Sequence, residues 1–439
     1  MSEGPTTRAG ETTEVGSVFI SNYPPYSAWT AGQVPEALAA IARPAVGGAP
    51  LGLYLHIPFC RLRCKFCYFK VYTEKDSTQV RSYLSALTRE VRIYGESPAV
   101  AGRGLRFVYF GGGTPSYISA RDLKKLAGDL QAVIPWDTAE EVTFECEPGT
   151  LTQPKLETIR EIGVTRLSLG VESFDDAVLK ENGRAHTSVE IFRVMPWIRS
   201  TGFQQLNIDL IAGMIGETWE SWKESIRKTI DLAPDSVTIY QMELPYNTVY
   251  SQDLLGGRNL PAPDWRLKRE WHQHAFEAME AAGYEISSAY TVVKKGTGAR
   301  FVYRDAMWHG SDLIGAGVAS FSHINGVHFQ NASEWGDYLG RLEAGELPIA
   351  RALKTTADHR LVRELILQLK LGFLDPEYFK GKFGVEITGA FAPAFDRLGK
   401  EGMLRLEKNR VALTRAGLLR VDRLLPEFYA PEYRNARYT

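Results

Sequence analysis

From Leu51 onward the chain alternates short apolar runs with amphipathic stretches, six times over. Leu51 to Ile57, Arg106 to Phe110, Glu141 to Cys146, Arg166 to Val171, Leu206 to Ile211 and Ser236 to Met242 read as strands. Helices are predicted between them. The first spans Gln79 to Tyr94 and places Tyr83, Leu84, Leu87 and Val91 on one face. Ser119 caps the next, which carries Leu123, Leu126, Leu130 and Val133. Thr152, with Pro154 in the first turn, opens one that runs through Ile162. Two more lie near Ser188–Ser200 and Thr218–Leu232. This alternation predicts a parallel sheet with right-handed crossovers. Six units instead of eight predict a partial (β/α)6 barrel of the TIM type, open at one side. In such barrels function gathers where strands end and loops begin.

Three of the four cysteines, Cys60, Cys64 and Cys67, follow the first strand in a C-x3-C-x2-C loop. Three thiolates leave one iron of a [4Fe–4S] cluster without a protein ligand, and that iron is open to chemistry. A structural zinc site needs a fourth ligand. His56 and Cys146 are the candidates, but His56 reads as a hydrogen-bonded rim residue and Cys146 as a packed one. Arg61, Arg63 and Lys65 interleave the cysteines and are expected to lower the thiol pKa values. Gly111, Gly112 and Gly113 follow the second strand, where bare backbone admits a ligand's polar group. The run Gly315-Ala316-Gly317 lacks a βαβ context, so no dinucleotide site is expected. Glu145, Glu172 and Asp209 stand in otherwise apolar sequence on successive strands. A buried carboxylate needs a partner. Either a cationic or hydroxyl-rich ligand supplies it, or Arg166 and Arg184 form structural salt bridges. Glu243 ends the sixth strand and is a candidate substrate contact.

Three regions are expected. Residues 1–50 form an N-terminal arm, disordered to about residue 16, with an aromatic patch from Tyr23 to Trp29 and a Pro44–Pro50 linker. Residues 51–340 form the partial barrel and an extension containing a helix from Trp265 to Ala282 and a strand from Tyr284 to Ser288. Residues 352–439 read as a separate domain. In it, helices near His359–Leu371 and Gly389–Glu401 precede a hairpin of Met403–Leu406 with Val411–Leu413, and a final helix starts near Thr414. That layout is winged-helix-like. Yet 51 basic against 52 acidic residues argues against nucleic acid. No run nears the about 18 apolar residues of a membrane span, and the N-terminus has no secretory apolar region. Clustered cysteines fit a reducing cytoplasm. A monomer acting on a small molecule is expected.

The run Tyr54-Leu-His56-Ile-Pro58-Phe59-Cys60-x3-Cys64-x-Phe66-Cys67 resembles the radical S-adenosylmethionine enzymes. Within them it is similar to the oxygen-independent coproporphyrinogen III oxidases and the related haem chaperones. The likeness continues through Gly111–Pro115, Phe144–Pro148, Arg166–Phe174, Gly183-Arg184-x-His186 and Asn207–Ile211. It implies that Cys60, Cys64 and Cys67 hold a [4Fe–4S] cluster whose open iron chelates S-adenosylmethionine. Tyr54, Phe66, Gly112, Gly113, Thr114, Glu145, Glu172, Arg184 and Asp209 would contact that cofactor. A second S-adenosylmethionine would lie near Phe69, Gly113, Ile211, Trp308 and Phe321, and Tyr54 and Glu243 would take part in catalysis. A flavodoxin or ferredoxin would supply the electron. This chain departs from the oxidases at Phe69, where they carry a fourth cysteine, and at Glu172, usually Gln. It also lacks the arginine before the arm's Tyr-Pro. From the chaperones it departs at Tyr303–Trp308, which lacks their histidine. Three outcomes follow: hydrogen abstraction from a tetrapyrrole or other unactivated substrate, methyl or methylene transfer using two cofactor molecules, and haem delivery without catalysis.

Overall fold

The computed structural model describes residues 12–438. Its central sheet has twelve strands. Six form the expected parallel series: β1 (Leu51–Ile57), β2 (Leu105–Gly112), β3 (Glu141–Cys146), β4 (Arg166–Glu172), β5 (Gln205–Ala212) and β6 (Ser236–Gln241). They lie side by side in sequence order. Side chains alternate between two environments, as strand geometry requires. In β1, Leu51, Leu53, Leu55 and Ile57 join the main core, whereas Tyr54 packs inside the barrel with Phe107, Val302 and Ala306. The intervening helices cover the outer face. Ser77–Glu96 begins with a capping box on Asp76, and Ala120–Gln131 is capped by Ser119. Gln153–Glu161 is capped by Thr152.

The sheet is wider than the sequence indicates. β7 (Tyr284–Ser288) and β8 (Thr291–Lys294) form a hairpin that joins the edge of β6. On the other side β9 (Asp312–Ala316) pairs parallel with β1. β10 (Phe321–Ile324), β11 (Val327–Asn331) and β12 (Ile349–Lys354) continue outward antiparallel. The barrel unit therefore runs to Lys354, past the expected boundary at residue 340.

The barrel floor is closed by the short helix Val302–Trp308. Its first N–H groups, at Val302 and Tyr303, donate to the Glu141 carboxylate at 2.8 and 3.2 Å. Glu141 is the first residue of β3, so this helix sits at the N-terminal ends of the strands. Phe301 stacks over the buried Arg166 guanidinium, 4.1 Å from its ring centre.

Residues 352–439 do not form a separate core. The helix Ala357–Leu369 is buried from Leu361 through Leu369, and its apolar residues belong to the same cluster as the barrel. A three-stranded sheet follows, of β13 (Phe373–Leu374), β14 (Leu404–Glu407) and β15 (Arg410–Leu413), in the order β13-β15-β14. The predicted helix over 389–401 breaks at Phe391 into Ile387–Ala390 and Ala392–Lys400. The final one is two short helices, Arg415–Leu418 and Val421–Leu424. The N-terminal arm ties onto this region, with Tyr23 packed on Tyr429 at 4.9 Å and on Tyr433 at 5.6 Å. Of the stretch to residue 16 expected to be disordered, residues 1–11 lie outside the described residues. Within them, Thr13 donates to Pro263 O and Gly16 N–H to Leu244 O.

The Gly315–Gly317 run is explained by packing. A Cβ on Gly315 would lie 2.0 Å from the Phe321 carbonyl oxygen. At Gly317, with φ +112°, it would lie 2.6 Å from the Tyr83 hydroxyl. Gly317 N–H also donates to the buried Glu90, which accepts from Tyr338 and Asn331 as well. Gly315→Ala is expected to destabilise the fold by about 1–3 kcal/mol, because backbone must shift to admit one methyl. Denaturant unfolding measures this, and an unchanged midpoint would contradict the close approach.

Candidate functional site

The cysteine loop has no helix or strand of its own. Its backbone is fixed from outside: Cys60 N–H donates to Tyr72 O, and Lys65 N–H to Asn182 O. The loop's approach is pinned by the glycine run, since Gly113 N–H donates to Ile57 O and Thr114 N–H to Phe59 O. A Cβ on Gly113 would meet Ile57 O at 2.8 Å, and one on Gly112 would meet the His56 ring at 2.4 Å. These glycines are thus required by the chain's own packing, whatever they also offer a ligand. Arg61 makes a two-pronged bond to Glu147 at 3.1 and 2.9 Å and donates to Ala185 O. Glu147 also accepts from Gly149 N–H and lies 3.4 Å from His186 Nδ1. Burial works against the Glu147 charge, but His186, Arg61 and Gly149 outweigh it and hold the carboxyl at about 2.

The three loop cysteines are half-buried and free, and they line one cavity of about 790 Å³. That lies near the top of the roughly 300–1,000 Å³ typical of small-molecule sites. Among the described residues, no three His, Cys, Asp or Glu side chains converge on a single ion position. The thiols suit a larger multinuclear group better than one zinc ion. As free thiols, Cys60 and Cys67 are not acidified. Burial pushes Cys60 up to about 11 and Cys67 to about 12. Burial outweighs the expected effect of Arg61, Arg63 and Lys65: Arg63 lowers Cys67 only in part, and all three side chains have partners elsewhere. Arg61 holds Glu147, Lys65 pairs with Glu181 at 3.0 Å, and Arg63 donates to Asn247 O. The cation that faces the thiols is Arg184, with Nη1 3.5 Å from Cys64 Sγ.

Across the cavity stand the carboxylates. Glu145 accepts from the Tyr109 hydroxyl at 2.7 Å and Gly112 N–H at 3.1 Å. Asp209 accepts from Ser168 and Asn207, both at 2.8 Å. Glu172 lies 3.7 Å from Arg184 Nη2, whose stronger bond goes to Gly170 O at 2.6 Å. Glu172 reaches the cavity through an irregularity. The β4–β5 register slips between Gly170 and Glu172, and Glu172 takes φ +65°. An inserted residue in a strand re-aims the side chain that follows, and positive φ at a glutamate is strained. Burial raises Glu145 and Glu172 to about 7 each, with Asp209 adding repulsion. Burial raises Asp209 as well. Arg184 and Arg166 offset this only in part, so a cation of the right size has three carboxyls to satisfy.

Phe66, Phe69, Gly112, Gly113, Thr114, Ile211 and Glu243 also line the cavity, as expected. Three predicted residues do not. Tyr54 lies inside the barrel, stacked on Tyr109 at 6.0 Å with its hydroxyl 3.1 Å from His56 Nδ1. His56 Nε2 meets Lys70 O, and burial lowers His56 to about 4, so it is neutral and bridges the two. Trp308 is on the barrel floor, held there by the Glu141 cap. Phe321 packs on Tyr26 at 4.2 Å in the sheet extension. Sequence reasoning missed the outer walls of the cavity: Thr12 and Glu14–Phe19 from the arm, Tyr240 and Tyr290, and Leu418–Arg423 from the C-terminal region. Nothing in periodicity or motif marks those segments as neighbours. Glu147 was missed too, although its position directly after a strand was a signal.

The geometry has known counterparts. A model of the radical SAM superfamily matches residues 54–229, and one of the HemN C-terminal domain matches residues 355–420. The oxygen-independent coproporphyrinogen III oxidase of Pseudomonas aeruginosa is 30% identical over 414 residues, covering 89% of this chain and 88% of that protein. Heme chaperone HemW of Bacillus subtilis is 29% identical over 372 residues, covering 83% and 96%. The solved structure of the coproporphyrinogen III oxidase HemN from Escherichia coli, a radical SAM enzyme, superposes with a TM-score of 0.80 at 24% identity. That match covers 93% of this chain and 96% of the other. Among the described residues no helix is long and apolar enough to cross a membrane.

The raised carboxyls make a signed prediction. Glu172 sits at about 7 in the fold against an ordinary 4.5. Its protonated form therefore favours folding below the unfolded value, and that contribution is lost as pH rises through 7. Glu172→Gln removes the charge. The variant should exceed the wild type in stability by roughly 2–3 kcal/mol near pH 8 and converge with it towards pH 4. Unfolding curves at both pH values test this, and a pH-independent difference would rule out a buried-charge origin.

Proposed function

We propose that this chain, which belongs to the radical SAM family of oxygen-independent coproporphyrinogen III oxidases and haem chaperones, is an enzyme that acts on a tetrapyrrole or similar unactivated substrate. The observation that carries this is one cavity holding three thiols on one side and three buried, underpaired carboxyls on the other. The family works with a [4Fe–4S] cluster and S-adenosylmethionine, and the donors present fit both. Cys60, Cys64 and Cys67 would hold three irons. Glu145, Glu172 and Asp209 would take the cofactor's cationic and hydroxyl groups. When bound, the cluster would supply the electron for reductive cleavage of S-adenosylmethionine, giving the hydrogen-abstracting chemistry that an unactivated substrate needs.

The chain's own residues prepare that chemistry. Arg184 lies between Cys64 and Glu172 and lets the negative charge of both sides coexist. Phe66 and Ile211 give the cavity apolar wall, which excludes water from a reactive organic group. The haem-delivery reading is weaker. Its relatives' histidine is absent, and the corresponding segment is the capped helix of the barrel floor. Methyl transfer with two cofactor molecules has less support still, because Trp308 and Phe321 lie away from the cavity. Four free cysteines and a need for reduced iron fit a reducing cytoplasm with a flavodoxin- or ferredoxin-type donor.

Anaerobic reconstitution should load about four irons per chain, and Cys64→Ala should abolish this. With a chemical reductant the loaded protein should release 5′-deoxyadenosine. Absence of that product, together with tight haem binding, would replace the catalytic reading by the chaperone one.

A further inference from the structure

Closed barrels of the TIM type are filled by bulky branched side chains, yet the inner face of β3–β5 here is polar. Strand alternation places Arg166, Ser168 and Gly170 on the inner face of β4. Arg166 pairs in register with Thr143 and Gln205, Ser168 with Glu145 and Asn207, and Gly170 with Asp209. Arg166 thus stands one layer beneath Glu145 and two beneath Asp209. It is 1% exposed, and Phe301 covers it from the floor side at 4.1 Å.

Arg166 forms no structural salt bridge among the described residues. Its Nε and Nη1 are shielded from solvent and have no hydrogen-bond partner there. A guanidinium keeps its proton in proteins, and a buried charge without a partner is costly. The neighbouring cations are engaged. Arg304, 5.7 Å from the same Phe301 ring, pairs with Asp305 at 2.7 Å. Arg184 donates to Gly170 O and faces Cys64. The charge of Arg166 is met through space by the carboxyls above it, and it pulls Glu145 and Asp209 down against their burial. Asp209 is held in place by Ser168, which shares the inner face with Arg166. The other titratable groups around these two are phenols and one acid. Burial pushes up Tyr54 of β1, Tyr109 of β2, Tyr240 of β6, Tyr68 of the cysteine loop and Tyr303 of the floor helix, so all stay neutral. Glu172 of β4 adds negative charge and shares the repulsion.

We propose that Arg166 is a positioning residue, the buried counter-charge of the carboxyl rank: from the layer beneath, it lets Glu145 and Asp209 ionise inside the barrel and so sets the pH range in which the cavity grips a cationic or hydroxyl-bearing ligand. For the identity of that ligand this rests on the proposed activity. The placement of the charge does not. Arg166 touches neither ligand nor cluster and acts only through the two carboxyls.

The test compares Arg166→Met with Arg166→Lys, which keeps the charge, in reconstituted full-length protein. Without S-adenosylmethionine, infrared difference spectra against pH follow the protonated carboxyl bands, which Glu145→Gln and Asp209→Asn assign. Arg166→Met should raise both midpoints by about one unit, and Arg166→Lys should stay within about half a unit of the wild type. S-adenosylmethionine is then titrated by calorimetry. Arg166→Met should bind it about fivefold more weakly near pH 7 and within about twofold near pH 9, where the carboxyls ionise regardless. The cofactor's own ionisation is common to both proteins and cancels. Unmoved carboxyl midpoints overturn the proposal, and so does an affinity loss equal at both pH values, which marks a merely structural part. If Arg166→Met is too unstable to titrate, Arg166→Met/Asp209→Asn decides. Loss of the cation raises the folded carboxyl pKa values further, so its penalty grows as pH rises. The double variant should melt above Arg166→Met near pH 8, with the gap closing towards about pH 5; a double variant that fares no better overturns the proposal. A protein that shows the infrared shifts but binds no S-adenosylmethionine keeps the counter-charge and removes the proposed activity instead.

Discussion

A loop with no regular structure of its own must borrow most of the hydrogen bonds that fix it, and the cysteine loop, whose own bond is Cys67 N–H to Cys64 O, is such a loop. Unpaired buried backbone groups are costly, so the loop's shape is set by the groups offered to it. Those come from the 58–72 stretch, from Asn182 after β4 and from the glycine run after β2. The Arg61–Glu147 bond adds a side-chain tie to the end of β3. Two of these ties, from the glycine run and from Glu147, start at strand ends, so the parallel register of β1–β3 helps to decide where the three sulfurs stand. The barrel positions the cysteines through these contacts more than through the loop's own sequence.

The second constraint is electrostatic. Burial and pairing compete at every charged group in the cavity, and the winner differs by position. Glu147 is hydrogen-bonded by the Arg61 guanidinium and stays acidic, while Glu145, Glu172 and Asp209 have no guanidinium hydrogen bond and are pushed up. The same contest leaves Cys60 and Cys67 as weak acids despite three neighbouring basic residues in sequence. Burial is the larger effect: Arg63 still favours the Cys67 thiolate, but Arg61 and Lys65 are held by Glu147 and Glu181.

The six barrel strands were legible to within about two residues. Strands buried on both faces read as mainly apolar runs, broken here by carboxylates such as Glu145 and Asp209. The strands of the extension were not legible. β9 to β12 carry Gly315, His323, His328 and Gln330 among their apolar residues, and their burial comes from the arm and the C-terminal helix, which no local pattern announces. The cofactor side of the cavity was legible because its residues follow strands directly. The outer wall of the cavity was not, because it joins segments some 400 positions apart, tied by bonds such as Ile20 N–H to Asp422. Trp308 and Phe321 were misplaced for a related reason: the Glu141 cap and the tight Gly315 approach are tertiary facts.

Chain order adds a temporal side to this architecture. Cys60, Cys64 and Cys67 lie in the first fifth of the chain, and β1 to β6 are complete by Gln241. The Leu418–Arg423 wall comes far later in the chain. A ribosome therefore exposes the sulfur-bearing mouth of the barrel long before that wall exists. Assembly has a natural sequence, with an open vestibule first and a walled chamber afterwards.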